Sequence, residues 1–279
     1  MRPTSVMGIK CASFRRLARR ALLVPIWMLA SNLLQASPVA VRYAEGVVHG
    51  FLALHTLEGQ TLADGDLIQT AQGDRVTSRL VFHFKDGSLQ DETVVFTQRG
   101  SFRLLTDHLV QKGPAFDRPI ETWIDAAKGD VKVQYADKGV EKVEAEHLDL
   151  PPDVANGLLL TLLKNIPPDA AETRVSLVVS TPKPRLVKLV ITPSGKTPFS
   201  TGNSGRNAVH FVIKIDIGGV SGLLAPLLGK QPPDSHVWVL EDSAPTFVKS
   251  EAQLFMGGPL WRIELVSPVW PPSASPSAP

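Results

Sequence analysis

The sequence predicts a mainly β protein: an antiparallel, strongly curved sheet or half-open barrel around one buried apolar helix. Two observations carry this. Apolar and polar residues alternate with period two along most of the chain, and short clusters of Gly, Asp, Asn and Pro break the alternation at close intervals. A single apolar stretch, Asp149–Ile166, departs from that pattern. The short turns leave no room for the crossover helices of a parallel sheet.

The first 36 residues are a secretory signal peptide by pattern. Residues 1–20 are basic, Ala21–Leu34 form a 14-residue apolar run, and Leu34-Gln35-Ala36 offers a small residue before Ser37. Cleavage is expected near Ala36. A membrane anchor would need about 20 apolar residues, and Pro25 and Asn32 interrupt this run. Arg19-Arg20 resembles the paired arginines of twin-arginine export, without the rest of that motif. No Cys follows the apolar run, so no lipid anchor is expected. The expected location is periplasmic or extracellular.

Removal of this segment changes the charge. The full chain has 29 Lys and Arg against 27 Asp and Glu, and six of the basic residues lie before Ser37. The remainder has 23 against 27, a net of −4. A mildly acidic chain without clustered Lys and Arg argues against a nucleic-acid or anionic-membrane partner. Cys11 is the only cysteine and leaves with the signal, so the mature chain has no disulfide and no thiolate chemistry.

Along the mature chain, Asp74–Lys85 is the clearest strand, with Val76, Leu80, Phe82 and Phe84 on one face. Asp86-Gly87 turns it into Leu89–Gln98, and Arg99-Gly100 turns that into Ser101–Val110. Ile120–Ile124, Val131–Tyr135 and Val140–His147 continue the meander. Asp149–Ile166 is expected as a helix, capped by Asp149, with Pro151 and Pro152 in its first turn and Pro167-Pro168 as its stop. Its apolar residues run nearly all round, so burial on more than one side is expected. Thr173–Ser180, Arg185–Thr192, Ala208–Ile217, His236–Leu240, Thr246–Leu254 and Leu260–Val266 complete the strands. Pro193–Gly205 reads as a mobile loop and Gly218–Gly229 as a loop with a helical turn. Residues 37–270 form one domain, and Pro271–Pro279 a disordered tail.

The search for chemistry returns no cofactor motif. The seven His show no zinc-type spacing, and the run before His147 reads as a solvated strand edge. Gly219-Val220-Ser221-Gly222 lacks the last glycine of a nucleophile elbow. What remains is apolar: Phe82, Phe84, Phe96 and Phe211 on strand faces, with Leu159 and Leu163 on the helix. They form either a packed core or the wall of a half-open barrel holding an acyl chain. These six are the candidate ligand-binding residues, with no catalytic residue, metal or cofactor assigned.

The signal peptide, the meander, the single helical interruption and the late Trp-bearing strands resemble the unclosed β-barrels of the bacterial envelope. These include the lipoprotein carriers of the Lol system and related periplasmic domains of unknown function. Ala208–Ile217, His236–Leu240, Thr246–Leu254 and Leu260–Val266 are similar to the closing strands of such domains. The likeness is one of architecture, and no functional residue carries over. It implies an apolar concave surface and, as partner, a lipid or lipoprotein. The alternatives are a scaffold module with a fully packed core, or a hydrolase whose site, with His83 or His210, is assembled from separate strands.

Overall fold

In the computed structural model, residues 37–201, 204–216 and 232–266 are described. The signal peptide, the 218–229 segment and the 271–279 tail lie outside them. The strands are β1 Val48–Thr56, β2 Thr61–Gln72, β3 Arg75–Phe84, β4 Leu89–Thr97, β5 Arg103–Lys112, β6 Ile120–Asp125, β7 Asp130–Asp137 and β8 Val140–His147. After the helix α1, Leu159–Asn165, come β9 Thr173–Val179, β10 Arg185–Thr201, β11 Ser204–Asp216, β12 Ser235–Leu240, β13 Thr246–Gln253 and β14 Leu260–Leu265.

All fourteen strands form one antiparallel sheet, in the order β8 to β1 followed by β14 to β9. Two meanders are therefore joined where the first strand pairs with the last, Leu52 facing Leu265 and Thr56 facing Trp261. The sheet is not closed. Its edges are β8 and β9, and residues 148–172, carrying α1, run from one to the other.

The alternation places the core as expected. Val76, Phe82, Phe96, Val131, Val133, Val209, Phe211 and Ile213 are buried in one apolar cluster that also holds Leu158, Leu162 and Leu163. No residue of β8 belongs to it. Hydrogen bonds tie the leading segment to α1. Asn165 Oδ1 accepts from the backbone N–H of Arg42 at 2.8 Å and Tyr43 at 2.7 Å. Glu45 pairs with Lys164 Nζ at 2.5 Å and accepts from Gln69 Nε2 at 2.9 Å.

Three features differ from the sequence reading. First, β1 and β2 are additional strands. The core side of β2 carries Ala63 and Gly65 where the pattern needs large apolar residues. Their small size admits the Phe82 ring: a Cβ on Gly65 would lie 2.5 Å from its Cε1. Second, the helix covers only Leu159–Asn165, and Leu158, not Asp149, stands at its N-cap without a side-chain bond. The polar residues before it serve the edge of β9 instead. Ala155 N–H donates to the Ser176 carbonyl at 2.8 Å, and Ser176 N–H to the Asp153 carbonyl at 3.1 Å. The Asn156 side chain donates to the Val178 carbonyl and accepts from its N–H, both at 2.8 Å. Gly157, at φ +62°, then turns the chain into the helix. Third, the Pro193–Gly205 loop is a hairpin extension: Lys196 to Thr201 pair with Val209 to Ser204. A bulge between Pro193 and Lys196 breaks the alternation and hides the strand.

Candidate functional site

The six expected ligand-binding residues meet in the interior. Phe82, Phe96, Phe211 and Leu163 are at most 1% exposed and Phe84 is 8% exposed. Leu159 is half-buried and packs against the same cluster. Phe84 extends an aromatic chain, with ring centroids 5.5 Å from Phe116 and 5.6 Å from Trp261.

Polar groups also enter this interior across β4, β5 and β6. Glu92 projects beside Gly157, where an added Cβ would lie 3.3 Å from its Oε1. Burial pushes its carboxyl up to about 7. Asp107, 2% exposed, titrates well above the usual carboxylate range, through burial and the neighbouring Glu92, with the His108 N–H acting the other way. Asp107 Oδ1 and Thr122 Oγ1 are buried without a hydrogen-bond partner. A buried acid with an oxygen left unpartnered resists ionisation, because its charge would be stranded in a low dielectric.

The outward face of the sheet carries a motif twice. His108, Trp123 and Lys132 are direct cross-strand neighbours on β5, β6 and β7. His210, Trp238 and Lys249 are direct neighbours on β11, β12 and β13. In each set the His ring stacks on the Trp ring, at 5.1 Å and 11° in the first and 4.5 Å and 8° in the second. In each the Lys ammonium lies over the Trp ring, at 4.4 Å and 4.0 Å. Such stacks lock register, each contact contributing about 0.5–1 kcal/mol.

The surroundings of the two sets differ. His108 Nε2 lies 2.8 Å from Glu121 Oε1. His210 Nε2 lies 2.9 Å from His236 Nδ1. Partial burial, the neighbouring His236 and the Lys249 charge lower the His210 pKa. Glu251 stays below its ordinary pKa despite burial, because Lys249 and Arg262 both pair with it.

A groove adjoins each set. The larger, about 880 Å³, lies beside Trp238 and Lys249. Phe51, Phe199, Leu240, Phe247, Leu265 and Val266 give it apolar walls, and the β10–β11 extension supplies one side. Phe51 and Leu265 are 44% and 41% exposed. The smaller, about 730 Å³, lies beside Trp123 and Lys132 and is bordered by Asp125, Asp130 and Glu146. None of the six interior residues lines either groove.

Apart from His210, which the hydrolase alternative named, sequence reasoning missed these outward residues because it followed the apolar face of each strand. The usable signal was the opposite one, a Trp on the polar face of a short strand, as in His236–Leu240. His83 is exposed on β3, away from His210 on β11. Among the described residues no group of three or more His, Cys, Asp or Glu is arranged to hold a metal ion. No described helix is long and apolar enough to cross a membrane.

No protein-family model matches the chain, and no curated protein matches its sequence. Two solved structures are similar to it. One is a β-barrel-like protein of a domain of unknown function, DUF1849, from Brucella abortus, with TM-score 0.43 and 11% identity over 80% of this chain and 98% of that one. The other is the hypothetical lipoprotein YmcC from Escherichia coli, with TM-score 0.34 and 7% identity over 79% of this chain and 85% of that one. This chain itself forms one antiparallel sheet, left open among the described residues.

Proposed function

We propose that this is an exported, non-enzymatic protein of the bacterial envelope that binds an apolar ligand or the apolar part of a lipoprotein. The observation that supports it is the 880 Å³ groove, whose exposed apolar walls include Phe51, Leu265 and Val266. A groove of that volume matches the size range of ligand sites, and exposed apolar residues gathered in a concavity mark binding surfaces. In this reading the sheet curls round α1, and Phe82, Phe84, Phe96, Leu159, Leu163 and Phe211 hold that curvature. The ligand lies on the other face, beside Trp238.

The test is uptake of a fluorescent fatty acid by the purified protein, together with native mass spectrometry of protein extracted from the envelope. Saturable uptake that falls in a Phe51→Asp/Leu265→Asp variant is expected. No bound lipid and no uptake would overturn the reading.

A further inference from the structure

The two edges of the sheet are finished differently. The edge of β9 is covered: the 153–156 segment bonds to it through backbone groups and through the Asn156 side chain. The edge of β8 pairs with β7 on one side and, among the described residues, with nothing on the other. Every residue of β8 but Glu146 is exposed, Val140 at 60% and Val143 at 54%. A free edge presents a row of N–H and C=O groups to any strand that fits.

Charge decides what fits. β8 carries Glu141, Glu144 and Glu146 against one cation, Lys142, which is tied to Asp137 at 2.5 Å. The 730 Å³ groove next to it adds Asp125 and Asp130. Its one lining lysine, Lys132, is held over Trp123. Asp125 and Asp130 have Lys128 and His147 beside them, whereas Glu141, Glu144 and Glu146 form no ion pair among the described residues. A second copy would bring two net-negative edges together, three glutamates and one lysine on each, which disfavours self-pairing. An extended strand rich in Lys or Arg would gain both the backbone ladder and the acidic groove.

We propose that β8 is a docking edge for an extended basic segment of a partner protein, which adds to the sheet as a further strand. Backbone bonds to β8 give the affinity, and basic side chains reaching Glu144 and Glu146, which share the face of Val133 and Val131, select the sequence. This site is separate from the apolar groove, so either proposal can fail alone.

The probe is a dye-labelled peptide of alternating Lys and Val, titrated into the purified protein by fluorescence anisotropy. A Glu–Val peptide and a Lys–Val peptide N-methylated at alternate residues serve as controls. Binding of the first peptide only is expected, weakening as salt is raised. An E144Q/E146Q variant, altered at positions of the β8 edge, should fold normally by circular dichroism and bind about tenfold more weakly. A photo-reactive group in the peptide should cross-link to β8. Failure to bind, equal binding of the Glu–Val or N-methylated peptide, an unchanged affinity in the variant, or cross-links elsewhere would each overturn the proposal.

Discussion

Replacing Glu92 by Gln tests whether an acid is held protonated inside the sheet. The Glu92 carboxyl titrates at about 7 in the folded protein, against an ordinary 4.5, because burial disfavours its charge. The unfolded chain releases this proton from about pH 4.5 upward, and the folded protein keeps it until about pH 7. Between those values the folded state binds more protons, so stability falls as pH rises, then levels off. Moving the carboxyl from 4.5 to about 7 corresponds to about 3 kcal/mol. Asp107, also raised, adds to the decline. Glutamine keeps the volume and cannot ionise, so Glu92→Gln should match the parent near pH 5. By pH 8 it should exceed the parent by up to about 3 kcal/mol. Urea unfolding followed by Trp fluorescence at pH 5, 6, 7 and 8 measures this. Parallel pH profiles for parent and variant, or a parent that gains stability across the range, would refute the reasoning.

Other expectations follow from particular contacts. Gly157→Ala places a side chain at φ +62° with its Cβ 2.0 Å from Val94 Cγ2, so the urea midpoint should drop by the equivalent of about 2–4 kcal/mol. Asn165→Ala leaves the Arg42 and Tyr43 N–H groups without their acceptor; a loss of about 2–3 kcal/mol and faster proteolysis around Arg42 are expected. Phe82→Ala should destabilise by about 3–5 kcal/mol in the same urea assay, since the ring is fully buried above Gly65. His210 should titrate below the ordinary histidine value of 6.5 in an NMR pH series. Its contribution to stability should be lost as pH falls through 6.5, because the unfolded chain takes up the proton first.

The strand pattern was legible wherever a strand has one apolar and one wet face. Val76, Phe82 and Phe84 of β3, or Val209, Phe211 and Ile213 of β11, announce their side of the sheet from spacing two alone, because the pleat is a local property of the backbone. The same rule failed at β2, where Gly65 stands under the Phe82 ring and the pattern shows a gap where the structure packs an aromatic ring against the backbone. The Asp149–Ile166 stretch was readable as apolar but not as a short helix preceded by an edge-capping segment. Asp153 and Asn156 choose between a helical turn and β9, and that choice depends on Ser176 and Val178, some 22 residues away.

The candidate site was less legible still. The antiparallel class and the identity of the core residues were determined by the sequence, since each depends on spacing along one strand. The two His–Trp–Lys sets were not, because their members are separated by different chain lengths and meet only through cross-strand register. Register depends on loop lengths, on the bulge between Trp238 and Val239, and on the pairing of β1 with β14 across most of the chain. Only the tertiary structure therefore decided which outward residues stand together, where the grooves lie, and which of the two sheet edges is left open.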